Sequence, residues 1–356
     1  MRRLLRLAAL AALALAGCQK PDPAVTTLTY ATPYPPGHPF SRADQQWMAW
    51  VEQASHGRLD IKPFWGGALL SSDQSMEEIR HGVADIGLIT PIYALGGAHA
   101  QRAQAGFYGG VRSIDEQVAI YKCLAARFPE LRKELDGLHV LAVQGGNFPA
   151  ILTRERPIRS LADLRGLRLR APSENLEVLR ALGVDPVDMP MGDVYPALAK
   201  GVIDGVVAPA DTLKSLHFAE VAHHFAQIRV SRGAYPARAM DETRWETLPP
   251  DLRAILTRGE RVWEAALRDQ VVAAEAAGLA FGKTHGVSFT TLDPADQARF
   301  DALYNRNAEA SARALGRLGI HGQPIFHEAQ RLIRTTPPGK PPTCDATAAL
   351  SEKKAE

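Results

Sequence analysis

The sequence lacks the marks of the common enzyme classes: it contains no GxSxG elbow, no phosphate-cradling GxxxxGK[ST] loop, no GxGxxG and no HExxH, and His327-Glu328 has no second histidine after it. His223 and His224 are adjacent, so on a regular element they point different ways and make a poor metal pair. No catalytic group, cofactor or metal site is therefore expected. A lysine and arginine run interleaved with aromatics is also missing, which leaves a nucleic-acid partner without support. Beyond the first residues no apolar stretch is long enough to cross a bilayer, and no internal repeat is present. Cysteine is scarce, with three residues at positions 18, 123 and 344.

What is present begins at the N-terminus. Arg2, Arg3 and Arg6 precede an apolar run over 7–16 that ends in Leu15-Ala16-Gly17-Cys18. The run is too short to span a membrane and reads as a lipoprotein signal over 1–17, with cleavage before Cys18 and acylation of its thiol. The other reading is an ordinary secretory signal with an incidental cysteine. On the lipoprotein reading, residues 18–25 are a polar tether to a lipid anchor. Losing 1–17 removes three arginines and takes the formal charge from +2 to −1, so the basic balance belongs to the signal. The remaining length suits two domains with cores of their own.

The most informative stretch is 162–209. Leu167 and Leu169 alternate with Arg168 and Arg170, then Pro172 and Ser173 stop the strand and open a helix whose leucines 176, 179 and 182 recur at helical spacing. Gly183 closes that helix, 184–189 reads as a strand, Asp193 is placed to cap the next helix, and Gly201 ends it before a strand over 202–208. Strands separated by helices predict an α/β layer with a largely parallel sheet, and ligands of such sheets sit beyond the carboxyl ends of the strands. Arg170 stands at such a strand end.

Elsewhere, strands are expected over Thr26–Ala31, Leu59–Phe64, 86–90 and 140–143, and helices over 40–55, 73–81, 114–128 and 130–135. Pro249 and Pro250 suit the first turn of a long helix to about residue 281, Asp293-Pro294 caps another to about 315, and the last covers 325–334. Residues 335–356, rich in proline, lysine and small side chains, read as a disordered tail. Cys123 sits in the helical EQVAIYKCLAARF. It is either a buried helix residue or, in an oxidising compartment, one end of a disulfide to Cys344.

The run LADLRGLRLRAP, followed by ALGVDPVDMPMGDVYPALAKGVIDG, resembles the signature region of the solute-binding proteins of TRAP transporters, the dicarboxylate-binding type. GRLDIKPFWGGALLSSDQSMEEIRHGVADIGLIT, YPPGHPF and WETLPPDLRAIL extend the resemblance over roughly 26–334. It implies an α/β, two-lobe class II periplasmic-binding-protein fold with an interlobe cleft and a long connecting helix. Lobe one would hold 26–147 and 236–275, and lobe two 148–235 and 276–334. It further implies capture of an organic acid between the lobes by hinge closure, and delivery to the membrane permease subunits of a TRAP transporter. Arg170 falls where the family's carboxylate-clamping arginine lies, and its planar fork makes two parallel charge-assisted bonds that lysine does not.

Departures from the family pattern are informative. Ala208 stands where many members carry a polar asparagine, and Pro149 where many carry a second ligand arginine, with Asn147 a nearby polar substitute. These changes point to a monocarboxylate or a relatively apolar acid. Trp65, Tyr93, Phe148 and Tyr235 are candidates for an apolar cleft wall, each with core or hinge packing as the alternative; His38 is either a ligand contact or a turn residue. Some members of the family it resembles dimerise through a swapped terminal helix, but the tail after Arg334 is too polar and proline-rich to pack that way, so a monomer is expected. A rival use of the same scaffold is an envelope lipoprotein that carries an apolar ligand or lipid at the outer membrane, because Gln19 follows Cys18 and the short tether does not reach an inner-membrane permease from there.

Overall fold

The computed structural model describes residues 25–344. The expected signal, Cys18, nearly all of the tether and the end of the tail lie outside the described residues. Among the described residues, eleven strands form two sheets. The first runs in the order β2-β1-β3-β10-β4 and the second in the order β11-β9-β5-β8-β6-β7. Their ranges are β1 Thr26–Ala31, β2 Leu59–Phe64, β3 Ile86–Leu88, β4 Leu138–Gln144, β5 Ala150–Thr153, β6 Arg168–Arg170, β7 Asp185–Val187, β8 Gly205–Ala208, β9 His224–Gln227, β10 Tyr235–Asp241 and β11 Ser288–Thr291.

Both sheets are mixed, where the helix-separated pattern predicted largely parallel ones. β1 pairs in parallel with β2 and β3, but β10 enters antiparallel between β3 and β4. In the second sheet β6 is parallel to β7 and β8, while β5 runs antiparallel to β8 and β9. The antiparallel members are the strands next to the two places where the chain changes sheets without a helix, over 145–149 and 228–234; the third change, from β10 to β11, runs through the helix Pro250–Thr284. A strand that arrives from the other lobe enters its new sheet without the helical crossover that enforces parallel pairing. The two crossings are themselves joined, Val230 donating its N–H to the Pro149 carbonyl at 2.9 Å.

Local chemistry sets the helix ends. The Nδ1 of His38 accepts the Phe40 N–H and Pro39 occupies the first turn of the helix Pro39–Ala54, while the Ser113 hydroxyl caps the helix Ile114–Arg127 with Asp115 and Glu116 in its first turn. Asp293 caps the helix Pro294–Ala314 through the Ala295 N–H. Asp193 does not cap: a 3-10 turn over Met191–Asp193 puts it in helical backbone geometry with no side-chain bond to the helix end.

The helix Pro250–Thr284 joins the lobes. Trp263 stacks on Trp47 of the helix Pro39–Ala54 at 3.6 Å between ring centroids, inside the core of the first lobe. Further along, Gly278 meets the second lobe so closely that a Cβ there would sit 2.1 Å from the Ala210 carbonyl oxygen. Although long, this helix is not apolar enough to cross a membrane, nor is any other helix among the described residues.

The helix Gly322–Thr335 packs on the helix Pro294–Ala314 and also on the helices His99–Ala105 and Ile114–Arg127, its Ile325, Ala329 and Leu332 sharing a core with Ala308, Ala312, Ile120 and Leu124. Its apolar stripe finds an apolar partner there. The first residues of the expected disordered tail are also held: Arg112 donates to the Thr336 carbonyl at 2.7 Å, and Cys344 is disulfide-bonded to Cys123. Cys123 is thus both a buried helix residue and one end of a bridge.

Candidate functional site

Between the lobes lies a cavity of about 80 Å³. Tyr34 and Tyr93, in the loops after β1 and β3, supply one wall; Arg170 and Val207 come from strand ends of the second sheet; Gly146, Asn147, Arg232 and Tyr235 come from the crossings, and Val271 from the long helix. The site therefore sits beyond the carboxyl ends of parallel strands, where α/β sheets gather their ligands.

Arg170 is 1% exposed. Its Nε donates to the Met189 carbonyl at 2.9 Å, Nη1 to the Val207 carbonyl at 3.5 Å, and Nη2 to the Tyr93 hydroxyl at 2.6 Å. These acceptors are neutral. No carboxylate forms a direct ion pair with Arg170 among the described residues, although Glu174 and Asp188 feel its charge from farther off, so the guanidinium is oriented by the fold and faces the cavity without a contact anion. A desolvated cation with spare N–H donors in a fixed plane is a receptor for a carboxylate.

The opposite rim is acidic and amide-rich. Asn147 Nδ2 donates to the Val271 carbonyl at 2.8 Å, and Asp211 donates its backbone N–H to Glu275 Oε2 at 3.2 Å. Burial pushes the Asp211 carboxyl up to about 6, with Asn147 and Arg232 pulling the other way. Burial and then the Asp211 charge push Glu275 up to about 7. His38 stacks on Tyr34 at 4.1 Å, and burial, followed by the Arg238 and Arg42 charges, drives its imidazole down to about 3. A neutral His38 is what its capping role requires, because Nδ1 accepts the Phe40 N–H at 3.2 Å. It is a turn residue that also lines the cavity.

Of the residues singled out from sequence, Arg170, Tyr93, Asn147, Tyr235 and His38 meet at this cavity. Three others do not. Trp65 packs at the rim of the first core, edge-on to Tyr30 at 5.8 Å. Phe148 turns away from the cleft and lies under the Arg229 guanidinium at 4.0 Å. Ala208 belongs to the core on the far face of β8 with Leu198 and Leu213, because neighbours on a strand point to opposite faces, and it is Val207 and Pro209 that line the cavity.

Sequence reasoning missed Tyr34, Glu174, Asp211 and Arg232. The motif Pro172-Ser173-Glu174 directly after the Arg170 strand is a signal that could have found Glu174. Arg232 lies in the second crossing, which has no regular pattern to mark it.

The family model described as bacterial extracellular solute-binding protein, family 7 (DctP) matches residues 30–313. Among curated relatives, the monocarboxylate 2-oxoacid-binding periplasmic protein of Nostoc sp. (strain PCC 7120) is 27% identical over 173 residues, covering 46% of this chain and 46% of the relative. The chain thus spans about half the length of the curated relatives it matches first. Among solved structures, a TRAP solute-binding protein from Rhodoferax ferrireducens T118 in complex with copurified benzoate superposes with a TM-score of 0.80 at 23% identity, covering 87% of this chain and 98% of that one. A marine metagenome TRAP solute-binding protein in complex with 3-hydroxybenzoate gives 0.79 at 22% identity, covering 87% and 98%. These likenesses establish the two-lobe fold of periplasmic solute-binding proteins.

Proposed function

Because the chain belongs to the bacterial extracellular solute-binding protein family 7, the DctP family, we propose that it captures a small organic acid between its lobes and delivers it to the membrane subunits of a TRAP-type transporter. The observation that carries this reading is the buried Arg170 guanidinium, held by neutral acceptors and turned to the cavity without a carboxylate of its own. The ligand carboxylate takes the place of that missing anion. A wall built from Tyr34, Phe40, Ile92, Val207 and Tyr235 suits a monocarboxylate with an apolar body. Names of similar proteins agree in kind, with a 2-oxoacid, benzoate and 3-hydroxybenzoate among their ligands.

The binding protein does no chemistry in this reading. It works outside the cytoplasm, as a monomer, tethered through an acylated Cys18; the Arg-rich start, short apolar run and Leu15-Ala16-Gly17-Cys18 sequence support the anchor. The rival reading, a carrier of apolar ligands or lipid, is disfavoured by family membership and by a cavity that exposes two arginines, Arg170 and Arg232, to its contents.

The test is thermal unfolding of the purified protein against panels of oxo acids, aromatic acids, short aliphatic acids and long-chain acids, with Arg170→Ala in parallel. A ligand at a hundredfold over its dissociation constant adds about 2.7 kcal/mol to stability. Truncating Arg170 leaves the ligand carboxylate desolvated and unpaired, a loss of about 3–5 kcal/mol. Equal acid binding by Arg170→Ala and wild type overturns the assignment.

A further inference from the structure

Arg232 lines the cavity from the second crossing and has no hydrogen-bond or ion-pair partner among the described residues. Its position is nonetheless constrained. A Cβ on Gly146 would stand 2.7 Å from Arg232 Nη1 and 2.8 Å from its Cζ, so the absence of a side chain at 146 is what admits the guanidinium. Gly146 is itself pinned, donating its N–H to Gln117 Oε1 at 2.8 Å and accepting from Gln117 Nε2 at 3.1 Å. On the other side Gly233 donates its N–H to the Ala105 carbonyl at 2.9 Å, and a Cβ there would strike the Tyr108 ring at 2.3 Å. Two glycines and a glutamine thus hold a half-buried guanidinium against the cleft and leave its donors unused.

The charge of Arg232 is felt at Glu174, Asp211, Tyr34 and Tyr235, all of which line the same cavity; Glu174 and Tyr34 feel Arg170 as well. The two guanidiniums therefore address one ligand space. Pro149 lines the same cavity, and its ring offers no donor.

We propose that Arg232 is a specificity-determining residue that donates to a second oxygen of the ligand, so that the protein selects monocarboxylates bearing an oxo or hydroxyl oxygen over their unsubstituted counterparts. This rests on the reading of Arg170 as the carboxylate anchor. An unused donor that a ligand closes off from water favours a ligand that satisfies it and penalises one that leaves it dry, which is why polar sites reject deoxy analogues more sharply than apolar sites reject an extra methylene. A neutral acceptor fits better than a second carboxylate, because the side chains of Glu174 and Asp211 share that part of the wall and would repel another anion.

The experiment measures dissociation constants by calorimetry for three matched pairs: pyruvate and propanoate, 4-methyl-2-oxopentanoate and 4-methylpentanoate, phenylpyruvate and 3-phenylpropanoate. Wild type, Arg232→Met, Arg232→Lys and Arg170→Ala are compared, and the unliganded melting temperature of each reports on folding. The expected result is a preference of wild type for the oxo acid of at least one pair by about 10- to 100-fold, collapsing to roughly threefold or less in Arg232→Met and partly restored in Arg232→Lys. Arg170→Ala weakens both members of the pair. An unchanged oxo preference in a folded Arg232→Met overturns the role of Arg232 while leaving the acid-binding reading intact, as does a wild type that binds both members equally. A wild type that binds no acid overturns both.

Discussion

The Nη2 of Arg170 donates to the Tyr93 hydroxyl at 2.6 Å, joining a strand end of the second sheet to a loop that leaves the first. The guanidinium also lies 5.6 Å from the centre of the Tyr93 ring. One side chain thus spans the cleft and aims its charge at the cavity.

Tyr93→Phe removes that contact and keeps the ring. Arg170 retains the Met189 and Val207 carbonyls, so the unliganded melting temperature is expected to stay near wild type. Acid affinity is expected to fall by about 0.5–1.5 kcal/mol, roughly 2- to 12-fold, because the fork loses one of its orienting acceptors. Unchanged affinity in a calorimetric titration would show that Tyr93 plays no part in aiming Arg170.

Deeper in the first lobe, Arg238 and Asp44 form an ion pair at 2.8 Å with neither side chain exposed, and Asp44 also accepts from Trp263 Nε1 at 2.8 Å and from the Tyr30 hydroxyl at 2.5 Å. Asp44→Ala strands a buried cation and is expected to cost about 3–5 kcal/mol in urea unfolding, whereas the double variant Asp44→Leu with Arg238→Met recovers most of that loss. A double variant no more stable than Asp44→Ala would refute the electrostatic account.

Stability should also respond to pH through Asp211 and Glu275. Their carboxyls titrate near 6 and 7 in the fold, against ordinary values of 3.8 and 4.5. The folded state therefore holds protons that the unfolded chain has already released. Their contribution is fully present below the ordinary values and is lost as pH rises through about 6 and 7. Asp211→Asn and Glu275→Gln should each flatten the decline in unfolding free energy over that interval; a slope identical to wild type would place the two carboxyls in solvent.

The disulfide between Cys123 and Cys344 closes the C-terminal segment onto the helix Ile114–Arg127. Unreduced protein should show no alkylatable thiol at either position, and intact mass should reveal two after reduction. Beyond the bridge, the described segment after Thr336 has few anchors, one of them the Arg112 bond to the Thr336 carbonyl. Reduction is accordingly expected to open 337–344 to proteolysis while the two-lobe body keeps its melting transition. Protection of that segment after reduction would mean that packing, not the bridge, holds it.

Much of the architecture was legible because it rests on local signals. The alternation in 167–170, the prolines at 249, 250 and 294 and the cap at Asp293 each act within a turn or two of chain, and the strands and helices they predict are present within a few residues. β5, β9, β10 and β11 were not read. Each is short or carries residues that look out of place in a strand, such as Pro236 and Arg238 in β10, and Arg238 is accommodated there only because Asp44, 194 residues away, neutralises it.

By itself the sequence determined the α/β class, the long helix and a strand-end arginine in a motif that marks the family, because backbone propensity, capping and motif spacing are properties of neighbouring residues. Only the tertiary structure decided which residues face the cleft. It turned Ala208 and Phe148 away, brought Arg232 in beside Gly146, joined Cys123 to Cys344 and packed the last helix at once on Pro294–Ala314, His99–Ala105 and Ile114–Arg127. These outcomes depend on which face of an element meets a partner from the far end of the chain, and that is set by packing over long separations rather than by the residues on either side.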